Sequence, residues 1–347
     1  MSIFDLVKAP DLTSYWEERV QDEPPYLGEE LFPADKKRGL RLDWIKGANG
    51  LPVVLKPSAF DVAAIPRPRI GFDKLSAQMP FFKESTYIDE ELRQELNMVI
   101  ETRNQAYIDA VMNRVFDDEM RLLRGARARR EQMRMMALTT GAIVVEANGQ
   151  GYSYDYGMPE DHKSEVETSW SDLDDSDPIE DLRAAMDKIE ADTGIRPTRG
   201  VCTRKTWNYM RKNQRILKSL FVLSNGQVEA LSDDRLTQVI YDELKLELVL
   251  YGKKFKDDTG TVTQFVPDDL VTLFPDGDLG KTWFGTTPEE SDLMSGTAAN
   301  VSITDVGVAV TTVKKTDPVN VETKVTMICL PSFESADSVY QLDVIAS

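Results

Sequence analysis

Side chains that could form a hydrolytic or metal centre are scarce in this sequence. It contains one histidine, His162, and two cysteines, Cys202 and Cys329. A serine or cysteine nucleophile would have to use His162 as its base, and no Gly-x-Ser-x-Gly turn is present to carry the serine. His162 lies within the polar run 160–163, so we expect it in a solvated loop. The count excludes histidine metal clusters, and we expect both cysteines to be free buried thiols.

One run, Gly280 to Thr282, has the glycine-lysine-threonine order of a phosphate-binding loop. A Walker loop needs another glycine five residues before Gly280, and Pro275 occupies that position. The residues after Thr282 read Trp-Phe-Gly and do not open a helix. The run therefore predicts an ordinary loop, and no cofactor is expected.

Acidic residues offer two further candidates, a calcium loop and a general acid/base pair. A loop that starts at Asp172 has Asp177 at its sixth position, where an EF-hand needs glycine. Its twelfth position is Arg183 instead of glutamate. The acidic pairs 257–258 and 268–269 are better explained by turns than by catalysis. An Asp-based metal-dependent enzyme is therefore a remote alternative, and no catalytic or metal-binding residue is assigned.

The one basic patch in the sequence is rich in arginine. Its members are Arg121, Arg124, Arg127, Arg129, Arg130 and Arg134. Contact with a polyanion is one interpretation, and ion pairs with acidic groups, within the chain or across an interface, are the other. The chain carries 41 basic and 59 acidic residues, a net charge of −18, and Glu119 and Glu131 interleave with the arginines. The ion-pair interpretation is favoured, because a nucleic-acid surface needs a positive field.

These arginines must be positioned by one long helix. The stretch 111–140 lacks proline and is rich in strong helix formers. Apolar residues from Leu122 to Ala137 recur at helical spacing, which predicts an apolar face that packs on a sheet and an arginine face opposite to it. Gly141 suits the left-handed position that ends a helix, and the apolar run 142–145 predicts a buried strand directly after it.

The N-terminal third is predicted to be an arm followed by an extended excursion. Residues 14–20 predict a short helix, and the apolar anchors of the arm, Trp16 among them, are expected to dock on another surface. Prolines punctuate residues 31–87, and Leu42 and Trp44 alternate with polar residues as in a strand. A floppy insertion is one interpretation. A projecting hairpin that packs on a neighbouring subunit is the favoured one.

The rest of the chain predicts a mixed region of helices and strands. Asp177 and Pro178 open a helix that Gly194 ends, and 88–125 is helical with a break near residue 104 or 125. A further helix covers 206–217, and the predicted strands are 198–203, 244–255, 261–266, 270–274, 322–330 and 338–345. The last two strands are expected to return to the sheet that begins at 142–145. No apolar run is long enough to span a membrane, and a signal peptide is not expected.

Groups of short motifs follow one another along the chain. The first group reads REQM at 130–133 and ALTTGAI at 137–143. The second reads WSD at 170–172, DPIEDL at 177–182 and TGIRP at 193–197. The third reads FVPDD at 265–269, PDG at 275–277 and FGTTPE at 284–289, and PSF follows at 331–333. In this order and spacing they resemble the lambda-type major capsid proteins of tailed bacteriophages, the capsid protein E family.

The resemblance implies an α+β fold of the tailed-phage major capsid (Hong Kong 97-like) type. In this sequence the N-terminal arm would be 1–38, the extended loop 39–85, the peripheral domain with the long helix 86–160 and 318–347, and the axial domain 161–317. It also implies a structural protein and not an enzyme. The subunit would self-assemble as pentamers and hexamers into the icosahedral head that encloses double-stranded DNA, in the host bacterial cytoplasm, and would end in the virion.

The same resemblance suggests roles for the unusual features. Candidate contacts between subunits are Trp16, Trp44, Lys46, Asn49, Lys56 and Phe60. A candidate basic face on the inner wall consists of Arg121, Arg124, Arg127, Arg130 and Arg134. A separate scaffolding protein is expected, because no long helical prefix precedes the arm, and so is a portal; a decoration protein is left open. Packaged DNA is expected to make at most weak contact, and no membrane is involved.

A shell protein of a host-encoded nanocompartment is the alternative function of the same fold. It predicts a cargo enzyme encoded beside the shell gene. A phage head protein predicts portal, protease and tail genes there instead.

Overall fold

The computed structural model describes residues 7–46, 73–88, 90–102, 105–147, 150–220, 230–257, 259–294, 299–317 and 319–346. The helices are α1 (Ala9–Val20), α2 (Leu27–Leu31), α3 (Glu90–Thr102), α4 (Gln105–Thr140), α5 (Pro178–Thr193), α6 (Arg204–Lys212), α7 (Gln214–Leu220) and α8 (Asp233–Leu244). Short turns of 3-10 helix cover Glu160–His162 and Ala336–Ser338, and a π-helical turn covers Glu289–Leu293. No helix within these ranges is both long and apolar enough to cross a bilayer.

Strands and helices come in separate runs along the chain, which confirms the predicted α+β class. They are β1 (Ala34–Lys36), β2 (Arg41–Lys46), β3 (Asp73–Gln78), β4 (Phe81–Tyr87), β5 (Ala142–Ala147), β6 (Gln150–Asp155), β7 (Lys163–Glu165), β8 (Arg199–Cys202), β9 (Glu247–Leu250), β10 (Lys254–Lys256), β11 (Val262–Gln264), β12 (Leu270–Phe274), β13 (Thr282–Phe284), β14 (Asn300–Thr304), β15 (Val308–Thr316), β16 (Val319–Pro331) and β17 (Tyr340–Asp343). β2 pairs with β3, and β10 pairs with β11.

The chain forms two compact units. The first contains the described residues of Met1–Leu42, Ala77–Arg134 and Lys281–Ser332, and the second those of Asp43–Ser76, Met135–Gly280 and Phe333–Ser347. These units divide the chain differently from the four predicted regions. Segments 86–160 and 318–347 each contribute to both units, and 281–317, expected in the axial domain, lies in the first.

The first unit is built on a sheet whose central member is the long strand β16. Its strand order is β1-β13-β16-β15-β14, and β4 also pairs with β16. β1 and β13 are parallel, whereas the other pairs are antiparallel. An apolar core joins Leu96 of α3, Val111 and Val115 of α4, and Val321 of β16. The N-terminal part of the long helix therefore packs on β16 through an apolar face.

The second unit contains a five-stranded sheet of order β7-β17-β12-β8-β9. Its core includes Trp170, Met186 of α5, Trp207 of α6, Ile240 of α8 and Leu273 of β12. β12 has the predicted bounds, and Val271 to Phe274 are all buried, as in a strand covered on both faces. α8 occupies residues for which no helix was predicted, and the expected helix 206–217 is divided between α6 and α7.

Local signals set the ends of the predicted helices. The Asp177 side chain accepts a hydrogen bond from the Glu180 backbone N–H at 3.2 Å, which caps α5. α4 ends at Thr140, and Gly141 has a φ of +74°. A Cβ on Gly141 would lie 2.8 Å from the Cβ of Met158, so glycine is needed for space as well as for conformation. α3 ends at Thr102 and α4 begins at Gln105, and Gly125, the other predicted position of a break, lies within α4.

The predicted return of the last two strands to the sheet of residues 142–145 is wrong. Among the described strands, β5 pairs with β6 alone, in a hairpin whose register opposes Ala142 and Asp155. β16 belongs to the sheet of the first unit and β17 to that of the second. A local hairpin costs little loop-closure entropy, so the segment that directly follows β5 satisfies its hydrogen bonds.

Candidate functional site

The arginines of α4 do not share one exposed face, which corrects the prediction. Arg121 and Arg124 are exposed, whereas Arg127, Arg130 and Arg134 are 8%, 5% and 3% exposed. A spacing of three residues falls short of a helical turn by about 60°. The series from Arg121 to Arg130 therefore turns from one side of the helix to the other, from solvent toward the core.

The first buried arginine binds the N-terminal segment of the first unit. Arg127 donates from Nε and Nη2 to Glu29 Oε1 and Oε2 at 2.7 and 2.8 Å, and its Nη1 lies 3.2 Å from Glu23 Oε2. Its guanidinium also lies 5.0 Å from the ring centroid of Tyr26. Burial raises the pKa of Glu29, but hydrogen bonds and charge from Arg127 outweigh it, so the pKa lies below its ordinary value. Arg124 adds a bond to Glu23 at 3.0 Å.

Arg134 and Glu131 form a deeper cluster around α2 and β13. Arg134 Nε donates to Thr282 Oγ1 at 2.8 Å, and Arg134 Nη1 lies 3.7 Å from Glu131 Oε2. Glu131 Oε1 accepts from the backbone N–H of Gly28 at 3.1 Å. A Cβ on Gly28 would lie 2.4 Å from Glu131 Oε2, so only glycine permits this approach. Burial is the main cause that lowers the pKa of Arg134.

The favoured interpretation was ion pairs with acidic groups within the chain or across an interface, and five of the six arginines form such pairs within the chain. Arg130 Nη2 lies 2.6 Å from Asp305 Oδ2, and Arg121 Nη2 lies 3.2 Å from Asp118 Oδ1. The buried arginines join α4 to the N-terminal segment and to the loop before β15. Their assignment to an inner wall stays a prediction, and among the five only Arg121 and Arg124 offer exposed side chains for it.

The structure describes the side chain of one predicted inter-subunit residue, Trp16, and that side chain is fully buried in its own unit. Its helix α1 packs on β14, where the Thr13 and Ser302 hydroxyls share a hydrogen bond of 2.9 Å. Trp16 is therefore a core residue, which corrects the prediction of an outward anchor. Its stripe with Ala9, Leu12 and Thr13, at helical spacing, was a signal for burial, but spacing does not specify the surface that covers the stripe.

The other predicted contact residues belong to the extended loop. Trp44 and Lys46 lie in β2, without described side chains, and Asn49, Lys56 and Phe60 lie outside the described residues. Their contacts with a neighbouring subunit stay predictions.

His162 is buried, which corrects the expectation of a solvated loop. It ends a 3-10 turn in the second unit, is 2% exposed, and its Nε2 lies 2.9 Å from Asp192 Oδ2 of α5. Lys188 Nζ binds both Asp161 and Asp192 at 2.7 Å, and these bonds are the main cause that lowers the pKa of each carboxyl. The turn points the ring inward, so the imidazole ties the turn to α5.

The other chemical candidates also have structural roles. Thr282 begins a strand and not a helix, and Lys281 Nζ lies 2.8 Å from Asp35 Oδ2, so the rejected phosphate loop leads into a sheet. Cys202 and Cys329 are free and buried, and burial raises their pKa values to about 12 and about 11, so neither is a ready thiolate. In the ranges that the structure describes, no three potential metal ligands cluster.

Glu119 is a further residue whose buried setting was not predicted from the sequence. It is 2% exposed, and its Oε1 accepts a hydrogen bond from Thr323 Oγ1 of β16 at 2.8 Å. Burial raises the pKa of Glu119 to about 7, against the smaller opposing effect of the Thr323 bond. One signal was available: Glu119 continues the apolar spacing of Val115 and Leu122 on α4.

One protein family matches the whole stretch of chain that forms this helix, sheet and N-terminal segment. The model of the family described as phage major capsid protein E matches residues 8–344. The chain belongs to this family. The subunit is therefore a major capsid shell protein of a bacteriophage and part of the virion, and its family is a structural one. The nanocompartment alternative is weaker, because the matched family is that of phage capsids.

Solved structures agree on the fold. A phage-related protein from Bordetella bronchiseptica RB50 is similar at 13% identity over 97% of each chain, with a TM-score of 0.56. A protein assigned as a prophage capsid protein from E. coli CFT073 is similar at 17% identity over 79% of this chain and 80% of that chain, with a TM-score of 0.54. A search of curated proteins gives no match. The family match and the two solved structures together confirm the predicted Hong Kong 97-like capsid fold.

Proposed function

We propose that this capsid subunit assembles with copies of itself, as pentamers and hexamers, into a closed icosahedral head around double-stranded DNA. The family match over residues 8–344 carries this proposal. The net charge of −18 supports it, because a strongly acidic wall repels packaged DNA and leaves it free to move. Assembly would take place in the host bacterial cytoplasm, and no catalytic role is assigned.

Electron microscopy of the expressed full-length chain tests this function. We expect closed shells or ring-shaped capsomers, first from the chain alone and then with a co-expressed scaffolding protein from the same phage genome. A chain that stays a folded monomer under both conditions would contradict the proposal. A scaffolding protein and a portal are proposed partners, and a decoration protein is left open.

The extended loop is proposed to clamp neighbouring subunits through Trp44, Lys46, Asn49, Lys56 and Phe60. Many weak contacts, repeated over a shell, give a high total affinity. Deletion of 46–50 should leave the circular dichroism spectrum of the subunit unchanged and reduce the yield of shells. Shells of normal yield and normal resistance to denaturant would show that the loop tip is not a clamp.

A further inference from the structure

A cavity of about 260 Å³ lies in the first unit, between α3, α4 and the end of β4. Leu92, Val115 and Leu122 give it aliphatic walls. Tyr87, more than half exposed, also lines it, so the cavity opens to solvent. Its size and lining suit a narrow ligand with an aliphatic stem.

The carboxyl of Glu119 lines this cavity and has unused hydrogen-bonding capacity. Oε1 accepts from Thr323, but Oε2 is buried and has no hydrogen-bond partner among the residues that the structure describes. A buried acceptor without a donor is costly, so nearly all such groups in proteins find one. The cavity therefore offers a prepared acceptor to an incoming N–H group.

The charges around the cavity favour a cation over an anion. Asp118 and Arg121 of α4 also line it and pair with each other at 3.2 Å, which leaves Glu119 as the uncompensated charge when it ionises. β4 contributes the phenol of Tyr87, and the facing hydroxyl of Thr323 on β16 is neutral. The lining residue of α3, Leu92, is apolar.

We infer that this cavity binds an aliphatic primary ammonium group, which donates to Oε2 of Glu119 while its carbon stem packs on Leu92, Val115 and Leu122. Two sources have this chemistry. One is a lysine side chain of a neighbouring copy, and this source depends on the proposed assembly function. The other is a free alkylamine, and this source does not depend on assembly. In both cases the ligand converts a costly buried carboxyl into one half of an ion pair.

Thermal unfolding of the full-length, unassembled subunit at pH 8 tests the chemistry with n-butylammonium chloride. We expect a saturable rise in Tm of about 2 °C at ten times the Kd. n-Butanol, or sodium chloride at equal ionic strength, should give less than half of that rise. Glu119→Gln should abolish the difference between amine and alcohol, and Glu101→Gln, a matched change on the exposed side of α3, should retain it. Equal responses to amine and alcohol in the unaltered protein would overturn the inference.

A cryo-electron microscopy map of shells assembled without added amine distinguishes the sources. Density continuous with a lysine of the adjacent subunit would identify a neighbouring copy, and isolated density with a co-purified amine in the mass spectrum would identify a free ligand. Occupation of the cavity by an apolar side chain would overturn the inference and leave the assembly function intact. Failure to form shells would count against the assembly function, and the unfolding experiment would still decide the binding chemistry.

Discussion

The arginines of α4 are chemically identical but differ greatly in what their ion pairs contribute to stability, because burial decides how strongly water and salt screen each pair. Arg121 and Asp118 have side chains 78% and 49% exposed, so water and salt weaken their attraction. Arg127 is nearly buried and binds Glu29 through two parallel hydrogen bonds, the geometry that a guanidinium forms best with a carboxylate. The pair with Glu29 should therefore dominate the attachment of the N-terminal segment to α4.

Replacing Arg127 with Met should lower the free energy of unfolding by about 2 kcal/mol, because the partly buried Glu29 loses the cation that binds it through two hydrogen bonds. Arg121→Met, on the same helix, is the matched control and should cost less than about 0.5 kcal/mol. Urea unfolding of both variants measures the difference. In a double-mutant cycle, Glu29→Gln should add little to Arg127→Met, and full additivity would show that the two side chains do not interact in solution.

The raised pKa of Glu119 predicts that this residue lowers the stability of the protein as pH rises, whereas the paired carboxylates have the opposite effect. Its pKa is about 7 in the folded state and near 4.5 when exposed, so between these values the unfolded chain loses its proton first. The group therefore makes the protein less stable as pH rises from about 4.5 to 7, with the full cost, about 3 kcal/mol, above pH 7.

Glu119→Gln removes this titration and keeps an oxygen that can accept from Thr323. We expect the variant to be more stable than the unaltered protein at pH 8, by about 2 kcal/mol, and of similar stability at pH 4.5. Urea unfolding at several pH values measures the difference between the two proteins, which isolates Glu119 from the other carboxylates. A difference that does not change with pH would contradict this assignment.

The end of α4 shows how one residue can define an element. The helix, Gly141 and the hairpin β5–β6 follow one another without a linker, so the direction of the hairpin depends on the left-handed conformation at Gly141. The backbone N–H of Gly141 closes the last turn by donating to the Ala137 carbonyl at 3.0 Å, and that of Tyr156 donates to the Gly141 carbonyl at 3.0 Å. Both ends of the hairpin thus meet at this glycine.

Gly141→Ala should destabilise the second unit by about 3 kcal/mol, because backbone strain is added to a clash with Met158. Gly277→Ala is the control: its φ is +94°, but no atom lies within 4 Å of the added Cβ, so strain alone should cost about 1 kcal/mol. Thermal unfolding should give a clearly larger loss of Tm for Gly141→Ala. Equal losses would show that Met158 moves aside freely.

The charge of the whole subunit predicts that the subunit does not bind DNA. With a net charge of −18 and the α4 arginines mostly paired with acidic groups, the long-range field is repulsive. Purified subunit should therefore leave the electrophoretic mobility of a DNA duplex unchanged at 150 mM salt, a concentration of roughly physiological ionic strength. Binding that weakens steeply with salt, and that Arg121→Glu with Arg124→Glu abolishes, would restore the polyanion interpretation.

The elements that the sequence determined by itself depend on residues close together in the chain. Helical periodicity and Gly141 predicted α4 and its end, Asp177 predicted the start of α5, and a mostly apolar run predicted β12. Their causes are hydrogen bonds, caps and backbone conformations within a few residues, which short spacing specifies. The family motifs depend on order and spacing along the chain, so the capsid function could also be predicted.

The tertiary structure decided which of these side chains are buried and what they meet. Glu29 and Arg127 lie 98 residues apart, and Arg130 and Asp305 lie 175 apart, so no local pattern joins them. The burial of Trp16, His162 and Glu119 likewise depends on segments that come together only in the folded units. Burial, charge pairing and the division of β16 and β17 between two sheets are properties of long-range packing, and therefore became visible only in three dimensions.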